Sequence, residues 1–300
     1  MIFSLVVYLI CHNRPELAKE SIQSILKQKD KDFKFIISDN STNDDVELMV
    51  RTYFSGITYV RRGSDISSLD HFNLCLSEIT QDYFCLFHDD DLMMPDYTLT
   101  IKKYINLFPD AVALGCNCFH ENEGVLEKEP PYLFKNSFKL INSPQVLLRG
   151  YFGQYQSGIT PFPGYVYNKN KIGHLLFTSE GGKYQDVIWI LKISNLGTIV
   201  WVKDPLMTYR THGGNDSLTD SVRDRLSLMG FLKQNLSFTT PELIIDYRFF
   251  LYKKIRCTEK LLKNRKRLKK LTFQVWKFRT YRFFRIKYYF FVFNKLIGIL

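Results

Sequence analysis

Several features that define other protein classes are missing from this 300-residue chain. It contains no CxxC pair, and its six cysteines are scattered, most of them in apolar runs. That pattern argues against a disulfide framework and indicates buried thiols in a reducing compartment. Cys116 and Cys118 lie two residues apart in a strand-like run, but without partner ligands they do not predict a zinc site.

Long hydrophobic runs are missing as well. No stretch reaches the roughly 18 uncharged apolar residues of a transmembrane helix. Residues 2–10 are apolar, yet they lack a preceding basic region and a following cleavage site, and polar residues 11–14 come at once. We therefore predict a buried first strand there and not a secretory signal.

The chain does contain enough apolar material for a substantial core. Its residues are 45% hydrophobic and 15% aromatic, which excludes global disorder. Three hundred residues suffice for one large α/β domain with an appendage, or for two small domains.

Charge divides the chain near Tyr247. From there to Leu300 stand 17 lysines and arginines and one acid, Glu259, which gives this segment a net charge of +16. The preceding 246 residues hold 24 basic and 29 acidic residues, a net charge of −5. An acidic body joined to a basic, aromatic tail indicates a boundary in the chain.

Apolar runs and amphipathic segments alternate along the first half of the chain. Strands are predicted at 2–10, 33–38, 57–61, 83–87 and 111–119, with helices at 15–28, 45–54, 67–79 and 96–107. A further helix is predicted at 184–196 and a strand at 198–202. This alternation predicts an α/β protein with a mostly parallel sheet and helices on both faces.

Polar clusters follow three of the predicted strands, at 11–14, 39–44 and 88–91. Ligands of parallel sheets bind beyond the carboxyl ends of the strands, so we expect these loops to converge on one site. Farther along, 120–139 is predicted as a loop. The aromatics and glycines of 151–164 suit a sugar-binding platform or, alternatively, an ordinary aromatic loop.

Three consecutive aspartates, Asp89, Asp90 and Asp91, stand directly after an apolar run. Enclosed carboxylates repel one another and lose hydration, which is costly unless a positive charge sits among them. A divalent Mg²⁺ or Mn²⁺ ion, shared with substrate phosphates, fits that need. The alternative is a solvated turn that caps the next helix, with Pro95 in its first turn.

Five elements of the sequence together resemble glycosyltransferase family 2. They are the strand and His-Asn-Arg-Pro of 6–17, the Asp-Asn-Ser-Thr element of 35–43, the acidic motif of 87–96, the Gln-Asp element of 184–189, and the Pro-Leu-x-x-Tyr-Arg-x-His stretch of 205–212. They occur in the family's order. Three departures stand out, since Ser38, His88 and Gln185 replace family acids.

The resemblance implies a GT-A fold, with a Rossmann-like sheet flanked by helices, and a basic helical segment behind it. Residues 1–215 would form the glycosyltransferase domain, with 1–119 as its nucleotide-binding half and 120–215 as its acceptor-binding half. Residues 216–300 would form a helical region, basic and aromatic from about 247. The implied reaction is inverting sugar transfer from a nucleoside diphosphate sugar, a UDP-sugar, to a glycan or lipid-linked glycan acceptor.

The resemblance also implies roles for individual residues on the donor side. Asp39 would accept a hydrogen bond from the base, although it is alternatively a turn residue. The loop of His12 and Arg14 would border the nucleotide, with helix capping by Asn13 as an alternative. The predicted nucleotide-sugar-binding residues are His12, Arg14, Asp39, Asn73, His88, Asp89 and Arg210.

The implied metal ligands are Asp90, Asp91 and His212, for Mn²⁺ or Mg²⁺. Asp90 aligns with the second and more direct acid of the family's metal motif, whereas His88 occupies the place of the first. One firm carboxylate suffices, because these ions take phosphate and water oxygens for most of their shell. His212 is alternatively a phosphate contact or a histidine with no role in the site.

Asp186 aligns with the catalytic base of the family, which takes the proton of the acceptor hydroxyl. The alternative is an acid placed in the first turn of a helix, where the macrodipole favours it. The rival enzyme class is a nucleotidyltransferase on a related sheet. The chain lacks the glycine-rich triphosphate loop with a basic residue near the first strand that such an enzyme uses.

Residues 247–300 interleave basic and aromatic side chains, which fits an interfacial helix on anionic lipid. Nucleic-acid binding through phosphates and stacking, or plain packing on the body, are the alternatives. Since the family often acts on lipid-linked glycans, we expect membrane contact and no nucleic acid. The expected location is the inner face of a bacterial plasma membrane, in polysaccharide or lipopolysaccharide synthesis.

Overall fold

A computed structural model describes residues 3–127, 129–132, 135–152, 159–214, 222–261 and 265–296. The chain divides into two compact units. The first comprises Met1–Pro144, Ile159–Ser179 and Gln185–Thr219, and the second comprises Gln145–Gly158, Glu180–Tyr184 and Asp220–Leu300.

The first unit is built on one mixed sheet. Its strands are β1 Leu5–Cys11, β2 Lys34–Asp39, β3 Thr58–Arg61, β4 Tyr83–His88, β5 Leu92–Met93, β6 Ala113–Asn122, β7 Val125–Leu126, β8 Phe138–Ile141, β9 Tyr165–Asn168 and β10 Ile199–Thr211. The strand order is β3-β2-β1-β4-β9-β6-β10-β5, with β7 paired to β6 and β8 to β10. β1, β2, β3 and β4 pair in parallel, as do β6 and β10, whereas the other pairs are antiparallel.

Helices follow the parallel strands as the sequence predicts. The α-helices are α1 Pro15–Leu26, α2 Asp45–Tyr53, α3 Ser68–Glu78, α4 Tyr97–Leu107, α5 Pro144–Phe152, α6 Lys169–Ile172, α7 Gln185–Leu196, α8 Val222–Gln234, α9 Pro241–Leu261 and α10 Arg265–Leu296. Most of β1 is buried, because strands with helices on both faces bury both sides of the pleat. The predicted α/β class with a mostly parallel sheet is confirmed.

Strand pairing brings the predicted polar loops to one edge of the sheet. Cys11 at the end of β1 is paired with Asp39 at the end of β2, and Ile10 is paired with His88 at the end of β4. The loops that follow these three strands therefore begin side by side. Their convergence follows from parallel pairing of the three strands, which places all three carboxyl ends at the same edge.

The short strands β5, β7 and β8 were not predicted, and two larger parts of the sheet also differ from the prediction. β9 was not predicted; it lies antiparallel between β4 and β6, and its four residues are too few to show a period. β10 was predicted to end at 202 but continues to Thr211. Shifts in its pairing with β6 on both sides of Pro205 let the strand pass a residue that cannot donate to the ladder.

Two predicted segments are described only in part. The loop predicted at 120–139 contains the end of β6, all of β7 and the start of β8, and residues 128, 133 and 134 lie outside the described residues. Of the proposed sugar platform at 151–164, residues 153–158 also lie outside them. The remainder leads into β9, with Phe162 buried beside it.

The second unit contains mainly helices. In it Asp246 of α9 forms ion pairs with Arg282 and Arg285 of α10, both at 3.0 Å. Leu251 and Ile255 of α9 pack with Leu271 of α10 in a small apolar cluster. Among the described helices, none combines the length and the apolar content that crossing a bilayer requires.

Candidate active site

The loops after β1 and β2 are joined through Asn13. The backbone N–H of Asn13 donates to Ser41 Oγ at 2.7 Å, and the side-chain oxygen of Asn13 accepts from the backbone N–H of Thr42 at 2.8 Å. Asn13 has a φ of 55°, the left-handed region, which asparagine tolerates better than most residues. Asn13 thus connects two loops of the candidate site.

His12 is the next residue held between these loops. Its Nδ1 lies 3.0 Å from Asn40 Oδ1, and its backbone N–H donates to Asp89 Oδ2 at 2.9 Å. His12 is exposed. It therefore links the first two polar loops to the aspartate turn while facing solvent, where a nucleotide could reach it.

Asp89, Asp90 and Asp91 are all buried in the turn between β4 and β5. Arg14 Nη1 donates to Asp89 Oδ1 at 3.1 Å and to Asp90 Oδ2 at 2.5 Å. One guanidinium group therefore meets two of the three carboxylates. The turn is not a solvated helix cap, which was the alternative prediction for this segment.

The end of β10 and His212, the residue directly after it, supply two more contacts to the aspartates. The backbone N–H of Arg210 donates to Asp91 Oδ1 at 3.0 Å, and His212 Nε2 lies 3.2 Å from Asp90 Oδ2. The Arg210 guanidinium contacts the backbone carbonyl of Asp90 and the Glu20 carboxylate. The extension of β10 past Pro205 is what carries these residues to the aspartate turn.

Burial and neighbouring charges act differently on the three carboxyl groups. Burial raises the pKa of Asp89 to about 7 in spite of Arg14, and burial with the charge of Asp90 raises the pKa of Asp91 well above its usual value. Burial would also raise the pKa of Asp90, but His88, Arg14 and His212 together lower it. The surroundings therefore disfavour the ionised forms of Asp89 and Asp91, which a cation in the cluster would stabilise.

A divalent cation fits this cluster. Ligand atoms of His88, Asp90 and Asp91 all lie within 4.8 Å of one another. Among the described residues, Asp91 Oδ2 and His88 Nε2 are buried atoms for which no hydrogen-bond partner is present. Buried polar atoms without partners are costly, and a metal ion would satisfy both. His88 was predicted to contact the nucleotide-sugar, and the structure places its ring nitrogen beside two predicted metal ligands, Asp90 and Asp91.

An aromatic cluster holds His88 in position. Its ring lies 5.5 Å from Phe162 and 5.9 Å from Phe72. Phe72 contacts Phe177 at 5.2 Å, and Phe177 stacks on Trp189 of α7 at 4.2 Å. This cluster connects the aspartate turn to the helix that begins at Gln185.

Asp186 lies in the first turn of α7, where its Oδ1 accepts from the backbone N–H of Val187 at 2.8 Å. Burial raises the pKa of Asp186 to about 6, while backbone N–H groups oppose the shift. A carboxyl group with this pKa can take a proton near neutral pH. Among the described residues, no hydrogen bond or ion pair joins Asp186 to another predicted site residue.

Asp39 is fully buried and accepts four hydrogen bonds. Ser41 donates to Oδ1 from its backbone N–H and its hydroxyl, while Tyr59 Oη and Arg61 Nη1 donate to Oδ2 at 2.6 and 3.0 Å. Four donors fill the lone pairs of a carboxylate. A nucleotide base would therefore have to replace one donor; Ser41 is buried, whereas Tyr59 and Arg61 are half-buried.

The sequence analysis missed Tyr59 and Arg61. A signal for them was present, because both lie on β3, whose carboxyl end reaches the same edge of the sheet. It also missed the partner of Ser38, the residue that replaces a family acid. Ser38 Oγ lies 2.8 Å from the buried His71 Nε2 and accepts from Arg62 Nε at 2.9 Å.

Asn73 differs from the other predicted site residues. Its side chain donates to the backbone carbonyl of Phe177 at 3.1 Å and accepts from the Phe177 N–H at 2.9 Å. Both ends of the amide therefore join α3 to the segment before α7. The structure gives Asn73 a place beside the aromatic cluster rather than among the charged groups.

Comparison with protein-family models supports the assignment that the site geometry suggests. Residues 6–160, more than half of the chain, match the model described as glycosyl transferase family 2. The matched region includes β1, the loop of Asp39 and the aspartate turn.

Solved structures of similar fold point the same way. A structure of S. aureus TarS 1–349 in complex with UDP-GlcNAc has a TM-score of 0.58 and 14% identity, covering 83% of this chain and 80% of that one. A mannosyltransferase, PcManGT from Pyrobaculum calidifontis in complex with GDP-Man and Mn²⁺, has a TM-score of 0.56 and 16% identity, covering 83% and 70%. At these identities the likeness concerns the fold. With the family model, it leads to the conclusion that the chain belongs to glycosyl transferase family 2 and is a glycosyltransferase of GT-A fold.

Proposed function

We propose that this glycosyltransferase transfers a sugar, with inversion, from a UDP-sugar to a hydroxyl group of a glycan or lipid-linked glycan, in a metal-dependent reaction. The observation that carries the proposal is the aspartate turn. It buries three carboxylates and leaves two ligand atoms, Asp91 Oδ2 and His88 Nε2, without hydrogen-bond partners among the described residues. A diphosphate with its divalent cation supplies what such a site lacks.

Asp90, Asp91 and His88 would hold the ion, with His212 beside Asp90. The support for this is that one ligand atom of each of Asp90, Asp91 and His88 lies within 4.8 Å of the other two. A bound Mn²⁺ or Mg²⁺ would neutralise negative charge on the departing diphosphate. Arg14 contributes a fixed positive charge at the same turn, since it already meets Asp89 and Asp90.

The remaining steps belong to the chain's own residues. Asp186 takes the proton of the acceptor hydroxyl while the hydroxyl oxygen attacks the anomeric carbon from the side opposite the leaving UDP. Asp39 accepts from the base once Arg61 has moved away. His12 borders the nucleotide, and Asn73 positions the segment around Phe177.

Two fold neighbours support the class of donor. TarS is bound to UDP-GlcNAc and PcManGT to GDP-Man with Mn²⁺, both of which are nucleoside diphosphate sugars. Since both identities are below one fifth, the proposal takes from them only this shared chemical class. The choice of UDP as the nucleotide of the donor is based on the expected contact between Asp39 and uracil.

The proposed place of action is the inner face of a bacterial plasma membrane, in the synthesis of surface polysaccharide or lipopolysaccharide. Its support is the +16 charge of residues 247–300. Basic residues near an anionic surface contribute about 1 kcal/mol each, and aromatic side chains add a part that salt does not remove.

The test is calorimetric titration of the full chain with UDP in the presence of Mn²⁺. The Asp90→Ala variant should lose Mn²⁺-dependent binding while its circular dichroism spectrum stays unchanged. The control is Asp110→Ala, which removes an aspartate whose side chain is 98% exposed, and it should bind as the parent does. Equal affinity of Asp90→Ala and the parent would refute the proposed metal site.

A further inference from the structure

The second unit contains a groove of about 400 Å³ between α8, α9 and α10. Its floor is apolar. Leu251 and Ile255 belong to the small core of this unit, and Tyr252 stacks on Phe278 at 5.7 Å. The apolar lining residues are Leu226, Met229, Leu251, Tyr252, Ile255 and Phe278.

Three cations line the same groove: Lys233 from α8, Arg248 from α9 and Lys277 from α10. No acid lines it among the described residues, and none of these three cations is seen in an ion pair within that part of the chain. By contrast, Arg282 and Arg285 of the same unit are paired with Asp246. The groove therefore combines an apolar floor with positive charge that the protein leaves uncompensated.

The outer side of α10 adds a second observation. Phe273, Trp276 and Phe284 are each more than half exposed, at 58%, 61% and 63%. Leu271 and Arg282 of the same helix are buried. Spacings of three, eight and eleven residues place Phe273, Trp276 and Phe284 on one helix face, because 3.6 residues make one turn. Large aromatic side chains exposed together in this way are typical of a surface that contacts a membrane.

We propose that the groove binds one molecule of an anionic membrane lipid. The lipid phosphate would contact Lys233, Arg248 and Lys277, and the start of its acyl chains would lie on the apolar floor. Charge complementarity is the reason, because an anionic amphiphile satisfies both halves of the lining at once. The inference rests on the proposed membrane association and names the part of the chain that would recognise a single lipid.

The test is calorimetric titration of the full chain with dihexanoyl phosphatidic acid below its micelle concentration. We expect saturable binding of one molecule. Inorganic phosphate lacks acyl chains, and dihexanoyl phosphatidylcholine lacks a net negative charge. Each should bind at least about tenfold more weakly. Phosphate binding as tight as that of the lipid would overturn the proposal in favour of a simple anion site.

Matched variants locate the binding. The triple variant Lys233→Gln, Arg248→Gln, Lys277→Gln should weaken lipid binding by about 100-fold, which corresponds to about 1 kcal/mol for each of the three cations. The control Lys266→Gln, Lys269→Gln, Lys270→Gln removes the same charge from exposed positions of α10 outside the groove. It should change affinity by less than about twofold. Equal losses in the two triples would mean diffuse attraction and would overturn the site.

A second pair of variants tests the apolar floor. Leu226→Trp places a larger side chain at a groove position that is 46% exposed, so the fold should tolerate it. We expect it to block the lipid, whereas Leu236→Trp, at a 70% exposed position outside the groove, should not. Unchanged binding in Leu226→Trp would contradict the proposed location.

Flotation with anionic vesicles separates this inference from the membrane proposal. Flotation without saturable binding of the short-chain lipid would overturn the groove and leave membrane association standing. Saturable binding without flotation would overturn the membrane association and leave the groove standing as a site for an anionic amphiphile.

Discussion

Buried carboxylates have different neighbours in the two units of this protein. In the second unit, Asp246 forms ion pairs with two guanidinium groups, those of Arg282 and Arg285. In the first unit, Asp89, Asp90 and Asp91 lie together, Arg14 forms ion pairs with only two of them, Asp89 and Asp90, and no ion pair to Asp91 is seen among the described residues. Asp186, also in the first unit, has no salt-bridge partner within the described part of the chain.

The difference distinguishes an acid that forms ion pairs inside the protein from acids that we propose to be functional. A buried carboxylate that meets two guanidinium groups links two helices. Three carboxylates enclosed together are costly to ionise, and a cation that enters among them stabilises their ionised forms. Asp186 is a third case, because burial raises its pKa to about 6 and makes it a base near neutral pH.

The largest expected effect concerns Asp186. Asp186→Asn should lower kcat by about 10²–10⁴-fold, since loss of a general base alone has that consequence. Affinity for the donor should be retained, because Asp186 contacts no other predicted site residue among those described. Turnover with a suitable acceptor and calorimetric donor binding measure the two effects. Near-parental turnover would remove Asp186 from the mechanism.

Asp246→Ala should have the largest effect on stability. It leaves the buried Arg282 and the half-buried Arg285 without their counter-charge, which destabilises by about 3–5 kcal/mol. Urea denaturation followed by circular dichroism measures the helical transition. Replacing all three residues, as Asp246→Leu, Arg282→Met, Arg285→Met, should recover most of the loss. If the triple variant is as unstable as the single one, packing and not charge explains the effect.

Asp91→Asn should act in the opposite way on stability. Burial and the neighbouring Asp90 already disfavour the ionised form of Asp91, and asparagine avoids that cost, so the metal-free protein should be as stable as the parent or more stable. Affinity for Mn²⁺ should fall by about 10–100-fold, the range typical of weakened metal sites. Thermal unfolding with and without Mn²⁺ reports both quantities. Strong destabilisation of the metal-free variant would place Asp91 with Asp246 as a structural acid.

The smallest effect is a change of rate with pH. The raised pKa of Asp186 means that the folded protein protonates this base below about pH 6, so kcat should fall about tenfold per pH unit below that value. Donor affinity measured over the same range serves as the control for titration of the aspartate turn. A fall in affinity that parallels the fall in kcat would move the effect from Asp186 to the metal site.

Much of the fold follows from patterns local to the sequence. The alternation of apolar runs with amphipathic helices predicts β1 to β4 and their helices, since side-chain periodicity depends only on residues a few positions apart. The position of the aspartate turn directly after an apolar strand indicates the charged site. β9 and the far end of β10 are not predictable in this way, because the first is very short and the second passes a proline.

The sequence by itself determined which groups are acidic, where β1, β2 and β4 end to within a residue, and which polar loops follow them at one edge of the sheet. Only the tertiary structure decided which groups meet. Arg14 reaches Asp90 across 76 positions and His212 reaches it across 122. These contacts depend on strand order and register, and strand order is set by burying the whole sheet at once, which no local pattern encodes.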